Sequence, residues 1–180
     1  MHFRWRDFAL AILWLVLDQA TKAWASAHFE DPVTVVPGFL RFILSHNRGA
    51  LFGWLGNLAD PWRTIALTGL PLLAIVGILV LLLYTGREEI FGRVGLAIVL
   101  GGAIGNVLDR LTYGHVVDFI DVYADWWPAS DLLTYFFRVN RWPTFNIADA
   151  GLTCGAALLL YEVFVRRKPH KETVGASVPD

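Results

Sequence analysis

Apolar residues gather along this chain in four long runs separated by more polar connections. Ile65–Tyr84 is twenty residues without a charge, and Phe145–Val165 carries only Asp149 near its start and Glu162 near its end. A helix rises about 1.5 Å per residue, so about 20 apolar residues cross the roughly 30 Å hydrocarbon layer of a bilayer. Both runs are therefore predicted to span a membrane. Two further runs reach that length only with interruptions. Phe8–Trp24 holds Asp18, Gln19, Thr21 and Lys22 in its second half, and Val94–Leu108 is short, glycine-rich and expected to extend past Arg110. Between the first and second runs, Val33-Thr34-Val35-Val36, then Pro37-Gly38, then Phe39–Leu44 reads as two short strands around a turn. The pattern predicts an all-α membrane protein of four transmembrane helices with a small β element.

Composition agrees with lipid as the main solvent. Hydrophobic residues make up 56% of the 180 and charged residues 17%, with a mean hydropathy of +0.50. Net charge is −1 and no long basic run occurs outside the tail, which argues against a nucleic-acid partner. Cys154 is the only cysteine, so disulfides and cysteine-based zinc sites are excluded. Arg4 and Arg6, the apolar Phe8–Leu17 and Ala25-Ser26-Ala27 imitate the three regions of a cleavable signal peptide. The polar insert Asp18–Lys22 separates the apolar run from that cleavage site and favours an uncleaved span.

Charge placement sets the expected orientation. Residues 1–7, 85–93 and 166–180 hold eight Lys and Arg in 31 positions, whereas 25–64 and 109–144 hold six in 76. Positive charge collects on the cytoplasmic side, so both termini are expected there and the β element outside. Trp24, Trp54, Trp62, Trp126, Trp127 and Trp142 fall at or beyond the outer ends of the runs, where amphipathic rings favour the headgroup layer. Residues 1–168 are read as one transmembrane domain. The Pro-, Lys-, Glu- and Ser-containing 169–180 is read as a disordered cytoplasmic tail.

An ionisable side chain inside a span costs about 3 kcal/mol on insertion scales, so each needs a partner or a purpose. That singles out Asp18, Lys22, Asp109, Arg110, Asp118 and Asp149. Asp18 and Lys22 are spaced i, i+4 with the acid first, the favourable order for an intrahelical pair. Gly102, Asn106 and Arg110 share one helical stripe, Gly101, Gly105 and Asp109 another, and Asn146, Asp149 and Thr153 a third. Gly101-x-x-x-Gly105 and Gly151-x-x-x-Gly155 have the small-residue spacing of closely packed membrane helices, and they predict contact between the third and fourth spans. Asp118 lies eight residues beyond Arg110, and Asp149 about 6 Å inside the fourth span. Two carboxylates at one shallow depth cannot both ionise easily, so one keeps a proton while the other can take one from water. That is the acid and base pair of amide hydrolysis. His-Glu-x-x-His and Gly-x-Ser-x-Gly are both absent, and the five histidines are scattered.

Asp18-Gln19-Ala20-Thr21-Lys22, Asn47-Arg48-Gly49-Ala50-Leu51-Phe52, the run Gly101–Arg110, Gly114-His115-Val116-Val117-Asp118-Phe119 and Phe145-Asn146-Ile147-Ala148-Asp149 resemble, in order, the motifs of the lipoprotein signal peptidase (type II signal peptidase) family. The resemblance implies four transmembrane helices with an extracytoplasmic β cradle in the bacterial inner membrane. It also implies cleavage of a prolipoprotein just before its diacylglyceryl-modified cysteine, with no metal or organic cofactor. By motif, Asp118 and Asp149 match the catalytic aspartates. Asp18, Lys22, Asn47, Gly49, Asn106, Asp109, Arg110 and Asn146 match positions that bind substrate or support the site. Arg110 is expected to hold Asp109 or a substrate carbonyl, and Asn47 and Asn146 to offer amide donors to the substrate backbone. The expected partners are the lipid-modified substrate and membrane lipid, with the protein a monomer. The stretch from Asp118 to Asp149 is longer than most of that family would have, and it adds Asp121, Asp125 and Asp131 as further carboxylates. A proton- or ion-coupled carrier is the alternative, because intramembrane acids also mark relays. A packing scaffold is a third.

Overall fold

The computed structural model describes residues 5–48, 61–126, 128–137 and 141–166. Four helices in it are long and apolar enough to cross a membrane: α1 (Trp5–His28), α2 (Ile65–Tyr84), α3 (Ile90–Tyr113) and α5 (Ile147–Arg166). All four predicted spans are present; the second has the predicted ends, Ile65 and Tyr84, and the other three differ. The first helix runs four residues past Trp24, because Asp18 and Lys22 are buried against α3 and do not mark an exit from the bilayer. The first turn of α2, Ile65–Gly69, and the last of α5, Glu162–Arg166, widen to π-helical geometry. Helix α3 stops at Gly114, whose φ of 75° is the left-handed closing conformation that glycine adopts without strain.

The β element has three strands in the order β1 (Val33–Val36), β2 (Leu40–Asn47), β3 (Val116–Val122), all antiparallel. Gly38, at φ 75°, makes the predicted turn between the first two. The third was not read from the sequence, although its Val- and Ile-rich stretch suits a strand. Its far edge is extended by residues 141–145: Phe145 exchanges backbone bonds with Ile120, and the Trp142 N–H reaches the Val122 carbonyl at 2.8 Å. A short helix, α4 (Ala129–Phe137), lies in the long connection before this return. The 169–180 tail lies outside the described residues.

Helix α3 is central and packs on α1, α2 and α5. Glycines make the contacts close, although the Gly-x-x-x-Gly pairs divide differently from the expectation. A Cβ at Gly102 would come within 2.7 Å of the Ala148 carbonyl, and one at Gly95 within 2.7 Å of the Gly155 carbonyl, so these positions seat α3 on α5. Gly101 and Gly105 face α1 instead, against the Ala11 carbonyl and the Asp18 carboxylate, and Gly151 lies under the Trp14 indole. The third and fourth spans touch as predicted, but three of the four glycines in those pairs face the first helix. At the end away from the sheet, Arg93 of α3 grips Asp7 of α1 at 2.6 Å. There Glu162 of α5 accepts the Phe91 and Gly92 N–H groups at the start of α3.

Candidate active site

The groups that lipid would penalise most are collected between α1, α3, α5 and β3. Lys22 is 3% exposed and spends its three donors on Asp18 Oδ2 (2.8 Å), Asp109 Oδ2 (2.9 Å) and Asn106 Oδ1 (2.9 Å). Asp18 uses its other oxygen to take the Ala148 N–H at 2.9 Å, and so caps the helix that carries Asp149. Asp109 receives the Val117 N–H at 3.0 Å and ties the end of α3 to the start of β3. The predicted Asp18–Lys22 pair is therefore present, and Asp109 completes it. Arg110 does not hold Asp109. Its guanidinium reaches the Asn106 carbonyl at 3.3 Å and lines the adjoining cleft.

Asp118 and Asp149 are joined through Asn146. The Asn146 side chain accepts the Asp149 backbone N–H at 2.9 Å, and its amide donates to Asp118 Oδ1 at 2.8 Å. In return the Asn146 N–H reaches Asp149 Oδ2 at 3.3 Å, which closes a reciprocal cap at the start of α5. Asn47, the last residue of β2, donates to Asp118 Oδ2 at 3.0 Å, and Asn106 donates to Asp149 Oδ1 at 2.8 Å. The amides of Asn47 and Asn146 are thus turned onto a carboxylate, where the sequence suggested a substrate backbone. Asp118 is 2% exposed, whereas Asp149 is half-buried and faces the cleft. Burial pushes the Asp118 carboxyl up from its ordinary 3.8 to about 7, and the charge of Asp149 adds to the rise. The Asn47 and Asn146 donors and the Lys22 charge oppose it.

The cleft has a volume of about 920 Å³ and runs between α2, α3 and α5. Asn47, Asn106, Arg110 and Asp149 form its polar end, and Ala74, Ile78, Val99 and Leu152 line its apolar walls. Of the ten residues singled out by sequence, nine are described. Eight share one hydrogen-bond network, with Arg110 beside it at the cleft, and Gly49 lies outside the described residues. Gln19 is a member that sequence reasoning quoted but gave no role. Its amide reaches Asp109 Oδ1 at 2.9 Å and Asp18 Oδ2 at 3.1 Å. Its position between Asp18 and Lys22 was the available signal. Asp121, three residues along β3 from Asp118, points away by strand alternation and pairs with Arg41 at 2.6 Å. His115 lies against His46 with the rings tilted by 49° and their centroids 4.3 Å apart. Among the described residues, no group of three His, Cys, Asp or Glu is placed to hold a metal ion.

Helices that bury acids and amides while exposing apolar side chains define a multi-pass membrane enzyme with its polar site beside a lateral cleft. Comparison with known proteins specifies it further. The family model described as "Signal peptidase (SPase) II" matches residues 10–165. A lipoprotein signal peptidase of Acinetobacter baumannii is 40% identical over 161 residues, covering 88% of this chain and 83% of that protein. One of Solibacter usitatus is 34% identical over 176 residues, covering 97% and 98%. Two solved bacterial membrane enzymes share the fold. One has a TM-score of 0.74 at 24% identity, covering 99% of this chain and 97% of its own. The other has 0.73 at 26% identity, covering 91% and 96%. The chain belongs to the signal peptidase II family and is a peptidase. The carrier reading finds no support in these relations.

Proposed function

We propose that this chain is an aspartic-type endopeptidase that removes the signal peptide from prolipoproteins, cutting before the diacylglyceryl-modified cysteine with Asp118 and Asp149 as its catalytic pair. One observation carries the reading: two carboxyls from different elements, β3 and α5, are wired to the same Asn146 at the polar end of an apolar cleft. In a singly protonated pair, the ionised carboxyl takes a proton from water as the hydroxide adds to the scissile carbonyl carbon. The protonated one gives its proton to the carbonyl oxygen. Collapse of the gem-diol returns that proton, the first carboxyl protonates the leaving nitrogen, and the C–N bond breaks. One water is consumed and the pair is restored. Arg110 and Asn47, at the polar end of the cleft, are suited to hold the substrate chain, and the apolar walls suit a signal-peptide segment or an acyl chain. Gly49 is assigned to close approach of the substrate backbone by its motif alone. Asp18, Lys22, Asn106 and Asp109 hold the scaffold of the site.

The enzyme resides in the bacterial inner membrane as a monomer, with both termini cytoplasmic and the site near the outer face. The excess of Lys and Arg in 1–7, 85–93 and 166–180 supports that orientation. Residues 1–168 are assigned to the peptidase domain and 169–180 are set apart from it by composition alone. The purified protein is to be incubated with lipid-modified and unmodified preprolipoprotein. Cleavage of the modified form alone is expected, and equal cleavage of both, or of neither, overturns the reading. Reporter fusions after Ala59 and Lys168 are expected on opposite sides of the membrane.

A further inference from the structure

The two aspartates differ in what stands behind their donors and in their access to the cleft. An ammonium group has only hydrogens to offer, so Lys22 Nζ, 2.9 Å from the Asn106 side chain, admits only the amide oxygen on that side. Turned the other way, the Asn106 NH₂ would meet two donors, the Lys22 ammonium and the Asn146 NH₂. Its nitrogen is therefore directed at Asp149 Oδ1, 2.8 Å away, which must be an acceptor. The same logic fixes Asn146. The Asp149 backbone N–H holds its oxygen, so its NH₂ faces Asp118 Oδ1. Both carboxylates receive donors on both oxygens, Asp118 from Asn146 and Asn47 and Asp149 from Asn106 and the Asn146 N–H. Only the Asn106 donor is backed by a buried cation, and Asp149 opens onto the cleft. Asp118 is closed off from solvent.

We propose that Asp149 is the ionised member of the pair and Asp118 the proton carrier, and that Asn106, oriented by Lys22, is the positioning residue that imposes this order. Asp149 then takes the proton from water, and Asp118 supplies the first proton to the carbonyl oxygen. The charges around the pair agree with that order. Lys22 of α1 and Arg110 of α3 face it, Asp18 and Asp109 share the single charge of Lys22, and β2 contributes the neutral Asn47 amide. Burial also holds the Asp118 carboxyl up near 7, which leaves it the natural carrier of a proton.

The assignment rests on the proposed pair, but it is tested without substrate, so it fails separately from the cleavage reading. Infrared difference spectra of the full chain in detergent follow the C=O stretch of a protonated carboxyl as pH is raised. The wild type is expected to lose one such band near pH 7. Asp118→Asn should abolish that transition. Asp149→Asn should keep it, displaced to lower pH because one cause of the raised value is gone. Asn106→Leu removes the donor that fixes Asp149 and is expected to lower kcat with KM little changed, a loss that Asn106→Gln partly restores. A transition kept in Asp118→Asn and lost in Asp149→Asn, or lost in both, overturns the assignment. An Asn106→Leu variant with unchanged kcat removes Asn106 from its role.

Discussion

Helices α2 and α3 are both long enough to cross a bilayer, yet they solve opposite problems. Helix α2 is the more apolar, and only 11% of its most apolar eighteen-residue stretch is buried inside the protein. For the glycine- and polar-rich α3 the share is 56%. Leu72, Leu73, Val76, Val80 and Leu81 of α2 point outward, whereas α3 buries Gly101, Gly102, Gly105, Asn106 and Asp109. In water the more apolar helix would be the core. In lipid, tails solvate leucine as well as a neighbouring helix does, so the interior goes to small residues that allow close backbones and to polar groups that need partners. Chemistry collects on the less apolar helix for the same reason.

The largest break in this contrast comes from the polar groups themselves. Asp118→Asn and Asp149→Asn are each expected to lower cleavage of lipid-modified substrate by about 10² to 10⁴, and the double variant to be little worse than either single. A single variant near the wild-type rate would remove that residue from the pair. Next in size is Lys22→Met, which leaves Asp18 and Asp109 buried without their cation. Removing one partner of a buried pair costs about 3–5 kcal/mol, to be read as a lowered unfolding midpoint in detergent.

A milder perturbation of the same cluster is pH. The folded Asp118 carboxyl titrates at about 7, above its ordinary 3.8, so burying it costs nothing while both states are protonated. The stability it leaves intact at low pH is lost as pH rises through that window and levels off above about 7. The thermal midpoint should therefore fall across the window in wild type and less so in Asp118→Asn. The packing half of the contrast is tested with paired glycines. Gly102→Leu drives a side chain into the Ala148 backbone and should cost about 1–3 kcal/mol. Gly77→Leu on α2, where an added Cβ meets nothing within 4 Å, should stay within about 0.5 kcal/mol. Equal effects at both positions would show that α3 is not the packed centre.

The spans were legible because length and apolarity are local properties that the bilayer reads directly. Their ends were legible for α2 and not for the other three. Asp18 to Lys22 looks like the exit of α1 until Asp109 and Asn106 are seen to absorb its charge and polarity. Strand β3 was missed for a similar reason. Val116–Val122 is long enough for a strand, but only β2 on one edge and residues 141–145 on the other make it one. The glycine spacings announced close packing without naming the neighbour, which is why Gly105 was assigned to α5 and faces Asp18 of α1.

By itself the sequence determined that this is a four-span membrane protein, that its buried acids needed an explanation, and which family motifs they belong to. Hydropathy, charge asymmetry and motif order are all written along one chain. Tertiary structure decided how those acids are satisfied. Lys22 serves three partners on α1 and α3, Asn146 joins β3 to α5, and Asn47 and Asn146 turn their amides onto Asp118. The physical reason is that a buried donor or acceptor is settled by whichever group lies within about 3 Å, and across 28 to 84 residues of chain only the packing of the helices fixes which group that is.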